Sequence, residues 1–264
     1  SMIELNYMTT KTAAVAWSIS QRRVLALCAD DRIDGLARVE NIWLIPKEAE
    51  KPMDARSLRY VSDKHVTVKP FVKWAGGKGQ LLENIRSSYP QGLGKCITKY
   101  AEPFVGGGAV LFDILSRYQL ESVYISDINA ELMNTYQTIK SNVNPLISLL
   151  STMQAEYSSL ESDNQRDYYY AKRNRFNELK VNGDISVNLE SAALFIFLNR
   201  TCFNGLYRVN RKGLFNVPIG SYKNPLICDE KNLLSIAKSL KKVTIFCGDY
   251  RKSADFIDDK TFVY

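Results

Sequence analysis

The chain has 264 residues, a formal net charge of +7 and an isoelectric point near 9.0. Its hydrophobic content of 45% supports a buried core, and no apolar run approaches the roughly 20 residues of a membrane-spanning helix, so we expect no membrane association. The length suits one large domain or two small ones, and the positive charge weakly favours a polyanionic partner without identifying it.

The cysteine and histidine content argues against several kinds of site. The five cysteines are scattered and never form a CxxC pair, which favours reduced cytosolic thiols over disulfides or a zinc centre. His65 is the one histidine, so we expect neither a His-based triad nor a bound metal. Residues 9–21 mix polar and apolar side chains at helical spacing, unlike a signal peptide. We therefore expect a cytoplasmic protein.

The first 60 residues predict a small module of their own. Thr10 and Ser20 are candidate N-caps of two helices, over residues 11–17 and 21–29. Residues 38–46 then have the pattern of a β-hairpin or wing.

The second helix of this module carries its candidate functional residues. Arg22 and Arg23 lie in the first turn, where a recognition helix contacts base edges and phosphates, while Leu25 is assigned to the core. Residues 1–60 resemble the winged helix-turn-helix modules of the excisionase and MerR type, which implies DNA binding. A helical pair with surface arginines and no role in DNA binding is the alternative. Residues 61–68 are the predicted linker.

A glycine-rich stretch between two predicted strands organises the second part of the chain. A strand over 96–100 precedes it, a helix over 109–118 follows, and the next strand, 123–127, ends on Asp127. Glycines let the backbone approach a ligand closely, and the amides at the start of a helix favour a negative group. Asp127 lies nineteen residues after Gly108, close to the roughly 20-residue offset of a carboxylate that holds ribose hydroxyls.

Two common nucleotide-binding patterns do not fit this stretch. Counted from Gly106, the dinucleotide pattern GxGxxG needs a glycine where the chain has Leu111. An ATPase loop built on the earlier Gly-Gly-Lys needs glycine, and then serine or threonine, where the chain has Val72 and Gly79. We therefore expect an adenosine compound that is not held by a pyrophosphate. S-adenosylmethionine fits, with its carboxylate near the glycine loop and its ribose at Asp127.

Three motifs resemble, in order and spacing, those of the Dam family of DNA adenine methyltransferases: Phe71–Lys78 (FVKWAGGK), Ala101–Gly108 (AEPFVGGG) and Ser126–Asn129 (SDIN). The resemblance covers residues 69–264 and implies an S-adenosylmethionine-dependent methyltransferase with a Rossmann-like α/β sheet. It implies that Lys73 lies against DNA. It also implies cofactor contacts by residues of these motifs and of one later segment: Trp74, Ala75, Lys78, Glu102, Pro103, Phe104, Gly106, Gly108, Asp127 and Asp249.

A later segment carries the second specific signal. Leu206–Val209 and Leu214–Val217 flank a turn of Asn, Arg, Lys and Gly, which predicts a hairpin. The segment resembles the target-recognition hairpin of the Dam family almost residue for residue. That likeness implies DNA contacts by Phe203, Asn204, Leu206, Arg208, Asn210, Asn216, Pro218, Tyr222 and Lys223. Packing within the hairpin is the alternative role for Phe203 and Pro218. Ser221 stands where relatives usually have arginine, which leaves the affinity or the flanking-sequence preference open.

The resemblance also implies a division of the chain. Residues 69–145 and 240–264 would form the cofactor-binding domain, and 146–239 a mostly helical target-recognition insert with the hairpin. In the family an Asp-Pro-Pro-Tyr tetrapeptide holds the flipped adenine, and the strand predicted over 260–264 matches the strand that precedes it. No two of the eight prolines are adjacent. We therefore expect a truncated chain with an incomplete sheet, no catalytic residue, no activity alone, and the motif immediately after Tyr264.

The function implied by the resemblance is transfer of a methyl group from S-adenosylmethionine to the exocyclic amine of adenine in double-stranded DNA, at GATC or a related site. The alternative is a DNA-binding regulator on a degenerate methyltransferase scaffold, against which the retained cofactor motifs argue. An RNA methyltransferase is disfavoured by the hairpin. A restriction endonuclease encoded nearby is a further partner of such enzymes, and no residue of this chain indicates it.

Overall fold

The structure, a computed structural model, describes residues 6–29, 33, 35–40, 42–49, 51, 68–74, 76, 81–183 and 188–264. The chain forms two compact units, Ser1–Lys64 and His65–Tyr264. Ala75 and Lys78, and nearly all of the predicted linker 61–68, lie outside the described residues. Within the described ranges, no helix has both the length and the apolar character needed to cross a membrane.

The described residues of the N-terminal unit form two helices and a three-stranded antiparallel sheet of order β1-β3-β2. Its elements are β1 Tyr7–Met8, α1 Thr10–Ala16, α2 Gln21–Ala29, β2 Ala37–Val39 and β3 Ile42–Pro46. One small core lies between the helices and the sheet, formed by Ala13, Ala14, Val24, Leu27, Cys28, Ile33 and Ile45. The predicted helix pair and the predicted hairpin are therefore confirmed.

Two details of that prediction are wrong. Thr9 rather than Thr10 caps α1, because the Thr9 hydroxyl accepts a hydrogen bond from the Thr12 amide at 3.2 Å while Thr10 already belongs to the helix. Leu25 is exposed rather than in the core. Helical periodicity explains this, because residues three and four apart share a face, and the buried face of α2 is the one that carries Val24.

The second unit contains four parallel strands in the order β6-β5-β4-β7. They are β4 Lys99–Glu102, β5 Ser122–Asp127, β6 Val243–Cys247 and β7 Thr261–Val263. Numbered from the first strand of the unit, the order is 3-2-1-4, which is that of a nucleotide-binding α/β sheet. The strand order reverses between β4 and β7, and ligands of such sheets bind beyond the carboxyl ends of the strands at that point.

The first of these strands begins three residues later than predicted. A tight turn precedes it, in which the Ile97 amide donates to the Gly92 carbonyl and the Gly94 amide donates to the Ile97 carbonyl, both at 2.9 Å. Gly94 has a φ of +79°, which favours glycine. Because the turn occupies the residues up to Ile97, the strand ends on Glu102 rather than Tyr100. A carboxyl group therefore lies at the carboxyl edge of the sheet.

Helices surround this sheet and build the rest of the unit. Among the described residues they are α3 Leu82–Arg86, α4 Ala109–Arg117, α5 Ala130–Ser141, α6 Val143–Ser159, α7 Ser162–Val181, α8 Leu189–Thr201 and α9 Glu230–Leu240. Every residue of α8 from Ala192 to Asn199 is buried, and α8 packs against α5, α6 and α7. The predicted buried helix is thus confirmed, and it joins the sheet to the segment that follows Thr201.

Candidate cofactor and nucleic-acid site

A cavity of about 800 Å³ lies at the carboxyl ends of β4 and β5, beside the point where the strand order reverses. Its lining includes the glycine loop, the end of each of these strands, and Tyr264 at the end of β7. Six of the residues predicted to contact a cofactor line it together: Trp74, Glu102, Phe104, Gly106, Gly108 and Asp127. Residues separated by more than fifty positions in the sequence therefore meet in one cavity.

The glycine loop has a backbone that only glycine adopts easily. Gly106 and Gly108 have φ values of +49° and +77°. A Cβ atom at Gly106 would lie 2.8 Å from Cδ1 of Trp74, and one at Gly108 would clash with the Tyr136 hydroxyl. That hydroxyl donates to the Gly106 carbonyl at 3.0 Å. The loop is therefore held against Trp74 on one side and Tyr136 on the other.

Asp127 is held at the edge of the cavity by backbone amides. One carboxylate oxygen accepts from the Gly106 amide at 3.2 Å, and the other accepts from the Asn129 amide at 3.0 Å. Each oxygen of an ionised carboxylate has two lone-pair sites, so both oxygens can accept a further donor. The side chain is thus oriented, half-buried and able to bind a diol in the cavity.

Glu102 provides a second carboxyl group in the cavity, in a different environment. Its side chain is buried, with the residue only 3% exposed, and the Tyr100 hydroxyl donates to Oε2 at 2.7 Å. Burial raises the pKa of Glu102 to about 8, although the hydrogen bond from Tyr100 acts in the opposite direction. A carboxyl group with such a pKa loses its proton readily when a cation binds beside it.

Exposed apolar side chains lie around the same edge of the sheet. Phe104 is 71% exposed, and its ring centroid lies 5.4 Å from that of Tyr250. Ile128, which follows Asp127 directly, is 81% exposed. Such side chains can cover a flat apolar group. The sequence analysis does not single out Ile128 or Tyr250; for Ile128, an apolar residue immediately after the strand-ending acid is the available signal.

Two residues predicted to bind the cofactor do not line the cavity. Pro103 is buried, and its carbonyl accepts from the Ser126 hydroxyl at 3.2 Å. The carboxylate of Asp249 is paired with Arg251 at 2.8 Å, and this hydrogen bond lowers the pKa of Asp249 to about 2. Tyr250, the next residue, lies closer to the cavity, because its ring packs on that of the cavity-lining Phe104.

The predicted hairpin reverses direction as expected but has little regular strand pairing. Val209 and Phe215 form an isolated antiparallel bridge, and no longer ladder joins the two arms within this fully described segment. The body of the unit holds the second arm through side chains. Asn177 accepts from the Phe215 amide and donates to its carbonyl, at 2.8 and 3.0 Å, and the Tyr169 hydroxyl donates to the Val217 carbonyl at 2.8 Å.

The hairpin presents most of the residues predicted to contact DNA. Exposed members of that set are Lys73, Phe203, Asn204, Leu206, Arg208, Asn210, Pro218 and Lys223, whereas Asn216 and Tyr222 are half-buried. Arg208 is oriented across the hairpin, because its Nε donates to Oδ1 of Asn216 at 2.8 Å. The Asn210 side chain accepts from the amides of Lys212 and Leu214, so it shapes the turn.

One buried amide connects the hairpin to the segment that precedes Trp74. Asn199 Oδ1 accepts from the Lys73 amide at 2.8 Å, and Nδ2 donates to the carbonyls of Lys73 and Gly205 at 2.8 and 2.9 Å. The Lys73 ammonium donates to the Tyr222 hydroxyl at 3.0 Å, and Lys73 also lines the cavity. Lys73 therefore belongs both to the lining of the cavity and to the contacts that hold the hairpin.

In the N-terminal unit, the two arginines predicted to contact DNA lie in the predicted second helix. Arg22 is exposed and Arg23 half-buried, both in the first turn of α2. On the β2–β3 hairpin, the guanidinium of Arg38 lies 4.9 Å from the centroid of the Trp43 ring.

Residues 74–264 match the model of a protein family described as D12 class N6 adenine-specific DNA methyltransferase. The chain belongs to this family. It is 50% identical over 198 residues to the type II methyltransferase M.MjaIII of Methanocaldococcus jannaschii, and 35% identical over 196 residues to the DNA adenine methylase of Haemophilus influenzae. These matches cover 75% and 74% of this chain, and 68% and 62% of those proteins. The type II methyltransferase M1.LlaDCHI of Lactococcus lactis is 37% identical over 201 residues, with 65% of its length covered.

The family match has a clear extent. It covers the glycine loop, the strand-ending acid and the hairpin, and it leaves the N-terminal unit outside. The chain spans about two thirds of the length of these curated relatives.

Proposed function

We propose that this chain carries the cofactor-binding and DNA-recognition parts of an enzyme that transfers a methyl group from S-adenosylmethionine to the exocyclic amine of adenine, at GATC or a related site in double-stranded DNA. The observation that carries this proposal is the cavity beside β4, in which the glycine loop, two carboxyl groups of different character and the exposed ring of Phe104 lie together. A regulator that only binds DNA has no use for this combination.

The chemistry of the lining fits S-adenosylmethionine part by part. The ribose diol offers two donors to the oriented carboxylate of Asp127, and the cofactor's ammonium group complements Glu102. The adenine matches the exposed ring of Phe104 in the lining, with Tyr250 packed on that ring and the exposed Ile128 directly after Asp127. When bound, the cofactor supplies an electrophilic methyl group on a sulfonium. Trp74, packed on the glycine loop, closes one side of the cavity and limits the access of water.

The hairpin is proposed to contact the bases of the target site. Arg208, aligned by Asn216, can donate to the two acceptors on the major-groove edge of guanine. Phe203 and Leu206 are exposed apolar side chains beside it, suited to contact bases that are unstacked when the target adenine leaves the duplex. Lys73 is bonded to Tyr222, the residue before Lys223, and both lysines are proposed to contact phosphates.

The N-terminal unit is proposed to add affinity for DNA through Arg22 and Arg23 in the first turn of α2. Deletion of residues 1–60 should then weaken binding to every duplex without changing the preferred site. A changed preference would assign site selection to the N-terminal unit. We further propose that the protein works in the cytoplasm, in keeping with its free cysteines at positions 28, 96, 202, 228 and 247.

The test uses the protein at its full natural length. Calorimetry should show that Asp127→Ala weakens S-adenosylmethionine binding by about 1.5–3 kcal/mol, the typical contribution of a hydrogen bond to a charged group. Asp258→Ala is the matched control, because that carboxylate is paired with Lys99 and does not line the cavity. Equal affinity for wild type and Asp127→Ala would remove Asp127 from the site.

Methyl transfer is the second readout. Tritiated methyl groups should be incorporated into duplex DNA that contains GATC, and less into duplexes with single-base changes. Incorporation into RNA in place of DNA would favour an RNA methyltransferase. Cofactor binding without incorporation into either nucleic acid would favour the DNA-binding regulator.

A further inference from the structure

Tyr207 lies between the cavity and the exposed part of the hairpin. Its neighbours in the chain, Leu206 and Arg208, are exposed, whereas the Tyr207 side chain turns inward. Its ring stacks on Trp74, with centroids 5.5 Å apart and an interplanar angle of 26°. It also lies 5.6 Å from the ring of Phe195 on α8. The residue between two proposed DNA contacts is thus a packing partner of a cavity-lining tryptophan.

The Tyr207 hydroxyl belongs to a closed polar network. It donates to Glu131 Oε2 at 3.1 Å and accepts from the Lys180 ammonium at 3.0 Å, and Lys180 pairs with Glu131 Oε1 at 2.6 Å. Burial lowers the pKa of Lys180, but the hydrogen bonds with Glu131 and Tyr207 outweigh it and raise that pKa overall. Burial also raises the pKa of Tyr207. At neutral pH the lysine is therefore charged and the tyrosine keeps its proton.

Through Glu131, the network is also connected to the side of the cavity that carries Asp127. Glu131 lies in the first turn of α5, which the side chain of Asn129 caps by accepting from the Leu132 amide at 2.8 Å. The amide of the same Asn129 donates to Asp127. A group that fixes Asp127 therefore also fixes the start of α5, and with it the position of Glu131. Tyr207 is joined to the cavity twice, through Trp74 and through α5.

We propose that Tyr207 is a positioning residue that couples cofactor binding to DNA binding, so that each ligand raises the affinity for the other. The inference rests on the proposed function, because it takes the cavity as the cofactor site and the hairpin as the DNA contact. A cofactor held between Trp74 and Asp127 restricts the remaining motion of both residues, and Tyr207 transmits that restriction to Leu206 and Arg208. DNA that then binds the hairpin costs less conformational entropy, so it binds more tightly. The effect is reciprocal by thermodynamic necessity.

The experiment is a binding cycle on the full-length protein. The affinity for S-adenosylhomocysteine, which carries no transferable methyl group, is measured by calorimetry with and without a short GATC duplex. Wild type should bind it at least about fivefold more tightly in the presence of the duplex, the lower range of typical coupling. Tyr207→Phe removes the hydroxyl and keeps the ring on Trp74, and Lys180→Met removes the charge and keeps the aliphatic stem. Each should reduce the coupling to less than about twofold while leaving both binary affinities nearly unchanged.

Tyr168→Phe is the matched control, because it removes a hydroxyl from the same helix as Lys180, one that bonds Glu156 instead of the network. It should keep the wild-type coupling. Unchanged coupling in Tyr207→Phe and Lys180→Met, or a wild type that shows none, would overturn the inference and leave the proposed function intact. A wild type that binds no S-adenosylhomocysteine would instead contradict the proposed function itself.

Discussion

The glycine loop, residues 104–108, is fixed by the strand and helix that it joins and by Trp74 and Tyr136 packed on either side, whereas the hairpin, residues 203–223, is joined to the body of the unit through side chains from distant parts of the chain. The loop joins β4 directly to α4, and its glycines take up the conformations needed for that connection. The hairpin has two isolated bridges, Val209–Phe215 and, at its base, Cys202–Ile219, and side chains of Asn177, Tyr169 and Asn199 hold it to the rest of the unit.

This difference separates two ways of building a site. The glycine loop has glycine-specific backbone conformations and close side-chain packing, so substitution there acts first on the fold. A hairpin held from outside can change its exposed side chains without disturbing the core, so substitution there acts first on binding. Under the proposed function, the sequence preference of the hairpin can then change while the cavity stays the same.

The largest expected effect follows from comparing one glycine of each region. Gly108 and Gly213 have nearly the same φ, +77° and +75°, but a Cβ at Gly108 would meet Tyr136 and Phe112, while one at Gly213 would meet nothing within 4 Å. The left-handed conformation alone costs about 1–2 kcal/mol for alanine. The clash at Gly108 adds about 1–3 kcal/mol, a typical cost of overpacking.

Denaturant unfolding checks this comparison. Gly108→Ala should lose about 2–5 kcal/mol of unfolding free energy, and Gly213→Ala about 1–2 kcal/mol. Similar losses for the two variants would mean that the surroundings of Gly108 accept an added Cβ as readily as the exposed turn does. The proposed difference between the two regions would then be wrong.

Next in size is the expected effect of Arg208→Ala. Contact with a guanine edge contributes roughly 1–3 kcal/mol of discrimination, so the variant should lose preference for GATC over single-base variants while its fold and its cofactor affinity remain. Binding to these duplexes at several salt concentrations measures the loss. Lys223→Ala is the comparison, since loss of a phosphate contact weakens all sequences alike and lowers the salt slope. A uniform loss in Arg208→Ala would assign Arg208 to the DNA backbone.

The same contrast explains what the sequence could predict. The strand, the glycine turn, the helix and Asp127 follow from local patterns, and the structure brings them together at the edge of the sheet. The inward turn of Tyr207 and its bonds to Glu131 and Lys180 depend on side chains 76 and 27 residues away, which no local pattern shows. The start of β4 is predicted three residues too early because the apolar segment 96–100 gives no sign of the turn that ends at Ile97.

The smallest expected effect is a change of cofactor affinity with pH that depends on Glu102, whose burial does not follow from a strand predicted three residues too early. Because its folded-state pKa is raised to about 8 from an ordinary 4.5, the carboxyl stabilises the unliganded fold most below pH 4.5, and this contribution is lost as the pH rises towards 8.

Cofactor binding should depend on pH in the opposite direction, since the ammonium group of the cofactor favours the ionised carboxylate. The contribution of Glu102 should raise the affinity about tenfold between pH 7 and pH 9, with release of a proton on binding below pH 8. Calorimetry in buffers of different ionisation enthalpy measures both quantities. Glu102→Gln retains the shape but cannot ionise, so any slope that remains in it belongs to the titration of the cofactor itself. An identical slope in wild type and Glu102→Gln would mean that Glu102 does not bind the ammonium group. Asp127 and the glycine loop would then remain as the proposed polar contacts of the cofactor.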